Sequence, residues 1–337
     1  MQQVTIKDIA KLAGVSVTTV SRALNNAPEI NAETRMRVLS ICRKTGYRAN
    51  LLARSLSSSR SHVIAVIPPN ISSPFQAALC LNIEMCAREQ NYQVLLCCDS
   101  DPDQLDSLVD FLVGQRVDGI LLPSSNSRII EYLAQYSDQI PSVLIGSFIA
   151  DDSPLRLNSV STDNFMGGRI AAEYLYGLGH RSVAYLGFRP DSLTHIARRK
   201  GFLQRAEELG MRVDTIVNTD SSSTLEGGYR LAKQLFASSF FNTAIFSVSD
   251  TVALGVMQAA DEAGISIPEK LSLLGYDNID YAALPNIRLT TIDHPIPSLA
   301  RSGTKLLLDL IESGNTTEHT RKLIMPKLIE RRTCRKI

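Results

Sequence analysis

The chain has 337 residues, of which 44% are hydrophobic and 20% are charged, and its formal net charge is +1. This length and composition predict more than one folded domain and exclude a globally disordered chain. No apolar run approaches the roughly 20 residues of a membrane-spanning helix, and the first residues do not resemble a signal peptide. We therefore expect a cytoplasmic protein that has no membrane partner.

The charges are unevenly divided along the chain. Residues 1–60 contain ten lysines and arginines against three acidic residues, whereas the remainder contains 25 basic and 31 acidic residues. A basic segment on an acidic body is typical of a phosphate-binding module attached to a domain that does not bind nucleic acid. From charge alone, a solvated basic face is the alternative.

The spacing of reactive residues points away from catalysis. The six cysteines and five histidines form no CxxC, HxxxH or mixed metal-binding pattern, so we predict reduced, structural cysteines. We find no GxGxxG, P-loop or GxSxG motif either. The sequence thus predicts a protein that is not an enzyme, with no catalytic residues, no cofactor and no metal site.

Residues 5–25 predict two short helices joined by a tight turn. Thr5 is a suitable N-cap with Asp8 as its capping-box partner, and Gly14 can end the first helix in a left-handed conformation. Ser16 can cap the second helix, with Thr19 behind it. The second helix would bury the stripe Val20, Ala23 and Leu24. Its outer face would carry Thr18, Arg22 and Asn25. Two helices that merely pack together would share this pattern, but the exposed arginine favours insertion into a DNA groove.

From residue 62 onwards, short apolar runs alternate with amphipathic stretches. The runs lie at residues 63–67, 94–98, 119–122, 143–146, 183–187, 244–248 and 271–275. Nearly continuous apolar strands between helices indicate parallel sheets that are buried on both faces, and the length fits two such units. Ligands in this architecture bind beyond the carboxyl ends of the strands.

The chain resembles the LacI/GalR family of bacterial repressors over nearly its whole length. The helix pair at residues 5–25 carries the resemblance in the first part of the chain. Further motifs follow in the family's order: Asp163-Asn164 with Gly167-Gly168, Gly179-His180-Arg181, Arg198 with Gly201-Phe202, Ser249-Asp250 with Ala253-Leu254-Gly255, Ile267-Pro268, Gly275-Tyr276-Asp277 and Leu289-Thr290-Thr291-Ile292. Each motif is weak alone, but their order and spacing together are specific.

The resemblance implies a small all-α helix-turn-helix head and an α/β periplasmic-binding-protein-like core of two parallel-sheet subdomains. We assign residues 1–48 to the DNA-binding head, 49–61 to a hinge segment and 62–337 to the effector-binding and dimerisation core. Within the core we expect an N-subdomain at about 62–161 and 293–321, and a C-subdomain at about 162–292 and 322–337.

The resemblance also implies a set of DNA contacts. They are Thr5, Ser16, Val17, Thr18, Thr19, Ser21, Arg22, Asn25, Asn50, Ala53 and Leu56. Residues 17, 18 and 22 would face base edges, where Arg22 can form forked hydrogen bonds to guanine. Val17 fits the buried stripe of its helix equally well. Leu56 would wedge into the minor groove from a hinge helix, although the serines around it are also typical of a flexible linker. Ala49 stands where the family usually has proline.

The effector-binding residues that the resemblance implies are Ser73, Phe75, Arg198, Ser249, Asp277 and His294. Arg198 would make forked hydrogen bonds to the ligand, and Asp277 would accept hydrogen bonds from its hydroxyl groups. A surface arginine and an ordinary turn aspartate are the alternatives. Phe75 would form an apolar wall or belong to the core. Ser249 and His294 stand where the family often has asparagine and glutamine.

The loop at residues 220–224 carries no aromatic ring. The family often places a ring there, and an aromatic face is what stacks on a sugar or a purine. Its absence weakens the case for a purine, so we expect a sugar or a sugar derivative as the small-molecule effector.

These features predict a transcriptional regulator, acting as a repressor, that binds a palindromic operator in double-stranded DNA as a homodimer. A dimer is favoured over a tetramer because residues 330–337 contain no leucine heptads. Whether the effector induces or corepresses stays open. Control by a protein partner or a non-sugar metabolite, and a solute-binding core without a repressor role, also remain as alternatives.

Overall fold

The computed structural model describes residues 4–24, 27–47, 60–98, 104–149, 153–217, 223–238, 242–314 and 319–337. The chain divides into two compact units, Met1–His62 and Val63–Ile337, which we call the head and the core. The predictions for Asn25, Ala49, Asn50, Ala53 and Leu56, and for nearly all of the hinge segment, lie outside the described residues.

The head contains the helices α1 (Ile6–Ala13), α2 (Val17–Leu24) and α3 (Ala32–Thr45). The predicted capping box is present, because the Thr5 amide donates to Asp8 Oδ2 at 2.9 Å and the Asp8 amide donates to Thr5 Oγ1 at 3.4 Å. Gly14 follows α1 with φ at 65°, the left-handed conformation that glycine adopts without strain. Helix α1 therefore begins and ends as its local sequence predicts.

A small apolar cluster holds these helices together. Its buried members are Ile9, Ala10, Ala13, Val20, Ala23, Val38 and Cys42. The stripe predicted on α2 is thus buried at Val20 and Ala23, whereas Leu24 is only partly buried. Arg35 also points inward, since its guanidinium donates to the carbonyl oxygen of Ala27 at 2.6 Å. One of the basic residues counted in the head therefore braces its fold.

In the residues that the structure describes, the core holds two six-stranded sheets. The first sheet comprises β1 (Val63–Val66), β2 (Gln93–Leu96), β3 (Gly119–Leu122), β4 (Ser142–Ile145), β5 (Asn158–Thr162) and β11 (Arg321–Ile324). Its order is β11-β5-β4-β3-β1-β2, and every neighbouring pair is parallel. Apolar clusters cover both faces of this sheet, as nearly continuous apolar strands predict.

The second sheet comprises β6 (Ser182–Phe188), β7 (Arg212–Val217), β8 (Ala244–Ser247), β9 (Ser272–Asp277), β10 (Thr290–Asp293) and β12 (Lys327–Ile329). Its order is β12-β10-β9-β8-β6-β7. The edge strand β12 runs antiparallel to β10, and the other pairs are parallel. The predicted α/β architecture with two parallel sheets is confirmed, apart from this antiparallel edge.

Helices pack on the faces of both sheets. They are α4 (Pro74–Glu89), α5 (Leu105–Gly114), α6 (Ser127–Ala134), α7 (Asn164–Gly177), α8 (Leu193–Glu208), α9 (Leu225–Ala237), α10 (Asp250–Glu262) and α11 (Ile296–Ser313). Helices α7 and α8 approach each other closely at Gly201. A Cβ at this position would overlap the carbonyl oxygen of Phe165. The motif glycine at 201 is therefore a packing residue. None of the helices in the described residues has the length and apolar character that crossing a bilayer requires.

The chain crosses between the sheets at three places. The first and second crossings follow β5 and β10, close to the predicted changes of subdomain. The third differs from the prediction, which assigned residues 322–337 to the C-subdomain. Arg321–Ile324 pairs in register with Ser159–Thr162 of the first sheet, so the crossing lies at residues 325 and 326. Two short strands, β11 and β12, occupy this region, and Pro326 lies between them.

Candidate functional site

The outward face of α2 is the candidate DNA-reading surface of the head. Ser16 caps the helix by accepting a hydrogen bond from the Thr19 amide at 3.0 Å, as predicted. Thr18 and Arg22 are exposed, and Val17 is 39% exposed. Val17 thus lies on the outer face and does not belong to the buried stripe. The helix presents two methyl-bearing side chains and one guanidinium that a base edge can contact.

The remaining contacts predicted in the head differ in their accessibility. Thr5 and Ser16 are exposed at the starts of α1 and α2, where helix N-termini offer backbone N–H groups to phosphates. Thr19 and Ser21 are half-buried and still reach solvent. The head thus presents small hydroxyl side chains as well as the guanidinium of Arg22.

A cavity of about 490 Å³ is the candidate ligand site of the core. It lies at the carboxyl ends of strands from both sheets, where open parallel sheets bind their ligands. All the predicted effector residues line it: Ser73, Phe75, Arg198, Ser249, Asp277 and His294. The structure therefore brings together side chains that are widely separated in the sequence.

Arg198 is almost completely buried at the inner wall of this cavity. Its Nη1 donates to the carbonyl oxygen of Val248, and its Nη2 donates to Asn164 Oδ1 at 2.9 Å. The guanidinium carbon lies 3.3 Å from the centroid of the Tyr276 ring, which adds a cation–π contact. These contacts rule out a surface arginine and fix the guanidinium in one orientation.

Asp277 and His294 form the polar pair beside this arginine. Asp277 Oδ1 lies 3.8 Å from Arg198 Nη2 and 3.5 Å from His294 Nδ1. The imidazole stacks on Phe75 with 4.5 Å between ring centroids and 26° between the planes. Burial lowers the pKa of His294, although the Asp277 carboxylate opposes this shift. A neutral imidazole can then both donate and accept a hydrogen bond.

The two predicted serines lie at helix N-termini. Ser249 caps α10 by accepting from the Val252 amide at 3.3 Å. Ser73 precedes α4 but makes no side-chain cap bond. Both hydroxyl groups can therefore still donate to a ligand.

Several cavity residues were missed by the sequence analysis. Gln76, His195, Ser223 and Tyr281 line the same cavity. His195 precedes Arg198 by three residues on α8, so helical spacing offered a signal for it. Burial, together with the positive charge of Arg198, holds the pKa of His195 well below its ordinary value. Nothing comparable in the sequence marks Tyr281, whose ring is 51% exposed.

Several buried polar atoms at this cavity have no hydrogen-bond partner within the described residues. They are Gln76 Oε1, His195 Nδ1, Arg198 Nε, Ser223 Oγ and both ring nitrogens of His294. An unsatisfied buried polar group costs roughly 1–3 kcal/mol, so such groups are rarely collected by chance.

Comparisons with known proteins agree with this division. Residues 5–50 match the family model of bacterial regulatory proteins of the lacI family, and residues 172–334 match a periplasmic binding protein-like domain. The chain is 35% identical to the HTH-type transcriptional regulator DegA of Bacillus subtilis strain 168, with 88% of each chain covered. It is 32% identical to the HTH-type transcriptional repressor CytR of Escherichia coli K12, covering 94% of this chain and 92% of that one.

A solved structure shows the same fold. The lac repressor dimer bound to operator and the anti-inducer ONPF superposes with a TM-score of 0.86 at 24% sequence identity. The alignment covers 98% of this chain and 99% of that one. The predicted family resemblance and fold class are both confirmed.

Proposed function

The chain belongs to the LacI family of bacterial regulators, and we propose that it represses transcription as a homodimer on a palindromic operator under the control of a small molecule. Its homologues are transcriptional regulators and not enzymes. The observation that carries the proposal is the cavity of the core, which polar side chains from helices and loops of both sheets line. A regulator of transcription acts where bacterial DNA lies, so the cytoplasmic location is part of this proposal.

The head supplies the DNA-binding part of the proposal. Arg22 would read guanine in the major groove, with Val17 and Thr18 packing on neighbouring bases. Ser16, Thr19 and Ser21 would contact phosphates, which set the register of the head without reading sequence. Support comes from the exposure of Val17, Thr18 and Arg22 on one helix. The lac repressor, which has the same fold, was solved bound to operator, and this supports DNA binding by the present chain.

An apolar face of the core supports the homodimer. Leu81 and Met85 lie one turn apart on α4, and both are exposed. Leu96 is exposed on β2, which is the edge strand of the first sheet. Large apolar side chains on neighbouring elements are typical of a surface that another protein covers. A second copy of this chain would bring two heads onto one palindromic site.

The cavity supports a sugar or a sugar derivative as the effector. Its wall is rich in hydroxyl side chains, and its charged groups are the Arg198–Asp277 pair and Arg189. Arg189 is itself paired with Asp191. The half-exposed ring of Tyr281 offers the aromatic face that residues 220–224 do not carry. Phe75 provides a second apolar surface.

Effector control then follows from linkage. If a ligand in the cavity weakens operator binding by some factor, operator must weaken ligand binding by the same factor. A corepressor would reverse both signs. The effect of ligand on operator affinity and the effect of operator on ligand affinity can be measured separately on the same full-length protein.

One experiment tests this function with an internal reporter. The chain contains no tryptophan, so Tyr281→Trp introduces a single one at the cavity wall. Its emission is followed against a panel of pentoses, hexoses, disaccharides, sugar acids, sugar phosphates and nucleosides, while thermal melting of the unmodified chain provides the parallel readout. A compound that changes both signals, and also changes affinity for operators selected from random DNA, supports the proposal. Compounds that bind without altering operator affinity would leave a solute-binding core. No binding by any compound would favour a protein partner.

A further inference from the structure

The turn that begins at Asp277, the last residue of β9, has a strained backbone conformation. Asp277 has φ at 112° and the next residue, Asn278, has φ at 56°. Residues other than glycine seldom adopt positive φ, and two in succession persist only when surrounding contacts hold them. The described residues show which contacts these are.

Two groups anchor this turn from outside the cavity wall. Asn278 Oδ1 accepts a hydrogen bond from Arg331 Nη2 at 2.7 Å, and Asn278 Nδ2 donates to Asp293 Oδ1 at 2.9 Å. Arg331 is itself fixed, because its Nη1 donates to the carbonyl oxygen of Leu289 at 2.7 Å. A single guanidinium therefore ties the turn to Leu289, the residue directly before β10.

A fully buried carboxylate anchors the other end of the turn. Asp250 Oδ2 accepts from the Ile279 amide at 2.9 Å, and Asp250 Oδ1 accepts from Thr291 Oγ1 at 2.6 Å. Burial and the neighbouring Asp277 raise the pKa of Asp250. The two residues that follow Asp277 are thus held, while its own carboxylate lies near Arg198 and His294.

We propose that Arg331 is a positioning residue, which sets the affinity of the cavity for its effector by clamping Asn278 and thereby holding the Asp277 carboxylate beside Arg198 and His294. Arg331 does not line the cavity within the described residues. Its effect on binding would be indirect, through the strained turn. The part of this inference that concerns ligand affinity rests on the proposed function.

The clamp can be tested without any ligand. Burial lowers the pKa of His294 and the charge of Arg198 adds to this shift, whereas the carboxylates of Asp277 and Asp293 oppose it. If the clamp is released, Asp277 moves away and the pKa of His294 falls. We would titrate carbon-labelled histidines by NMR in the full chain, with His294→Asn to assign the signal and Asp277→Asn to define the value without that carboxylate.

The variants separate positioning from stability. Arg331→Gln removes the guanidinium, and Asn278→Gly removes both side-chain bonds while allowing the positive φ without strain. Arg332→Gln is the matched control, because Arg332 is the exposed neighbour of Arg331. We expect the first two variants to shift the His294 pKa towards the Asp277→Asn value, with Asn278→Gly keeping the melting temperature near that of the original chain. The control should match the original chain.

The affinity of the variants for an effector is measured with the panel compound that binds the original chain most tightly. Losing a charge-assisted hydrogen bond that positions a binding group should weaken affinity about tenfold. The double variant should be no weaker than either single one, because both break the same unit. An unchanged His294 pKa in both variants would overturn the clamp. If no panel compound binds the original chain, the proposed function fails and the titration still decides the clamp.

Discussion

The head and the core of this chain differ in how their functional residues are brought together. In the head, the candidate DNA-reading side chains lie on one short helix, and the residues that cap and end the helices are a few positions away. In the core, Phe75 stacks on His294 although one lies near the beginning of the unit and the other near its end. Local chemistry therefore determines the first site, whereas the second exists only when both sheets have formed.

The largest expected effect is on the assembly of the core. Gly201→Ala places a Cβ against the Phe165 carbonyl oxygen at the α7–α8 crossing. Neither backbone can move aside easily, so we expect the free energy of unfolding of the core to fall by about 3 kcal/mol. Thermal and urea unfolding of the full chain measure this. The control is Gly177→Ala, which meets nothing within 4 Å and should be neutral. Equal stability of the two variants would contradict the close approach.

The second prediction concerns DNA sequence reading in the head. Arg22→Ala removes the exposed guanidinium of α2 and should cost roughly 1–3 kcal/mol of operator affinity, mostly by relaxing specificity at one base pair. Binding to selected operators and to each single-base variant measures this. Arg37→Ala is the control, since it removes an equal charge from the exposed surface of α3. If both variants lose affinity uniformly across sequences, Arg22 contacts phosphate and does not read a base.

The third prediction tests whether the local cap at Ser16 determines where α2 begins. Ser16→Ala removes the side-chain cap of α2 and should lower the stability of the head by about 1 kcal/mol. Ser16→Asp, which can still cap, should retain stability and also lose affinity for DNA through charge repulsion. Melting followed by circular dichroism, together with operator binding, separates the two effects. Unchanged melting in the alanine variant would mean that tertiary packing alone determines where α2 begins.

The smallest expected effect is a dependence of core stability on pH. Burial lowers the pKa of His195 and of His294 below the ordinary value of 6.5. The unfolded chain then binds more protons than the folded chain below about pH 6.5, so stability should decline as the pH falls through that range. His195→Gln should flatten this decline in melting curves recorded between pH 7 and 5. A decline that is equally steep in the variant would assign it to other groups.

Sequence reasoning succeeded where a structural choice depends on neighbouring residues. The capping box at Thr5 and the left-handed Gly14 are examples, because each needs only residues within one turn. It missed β5, whose residues Asn158–Thr162 are fully buried yet mostly polar. Two of those polar groups have distant partners: the Thr320 amide donates to Asn158 Oδ1 at 2.8 Å, and Ser161 Oγ donates to the carbonyl oxygen of Gly146 at 2.9 Å. Hydrophobicity patterns cannot register a strand of this kind.

The candidate ligand site was predicted in part for a related reason. The six residues taken from the family resemblance all line the cavity. Gln76 and Tyr281 escaped notice because nothing in their local sequence distinguishes them from surface residues. The orientation of Arg198 was also beyond reach, since its partners Asn164 and Val248 come from other elements. Asn164 and Val248 reach Arg198 only because the topology of the core brings their elements together.

The strand β11 has a consequence for how the protein is made. Arg321–Ile324 completes the first sheet beside β5, and α11 packs against the same sheet. The first sheet therefore remains unfinished until residue 324 has left the ribosome. A gene fragment that ends after β5 would encode neither its edge strand nor its covering helix, and would expose apolar surface. To express the first sheet alone, residues 296–324 would have to be joined ahead of β1 or after β5 by a designed linker.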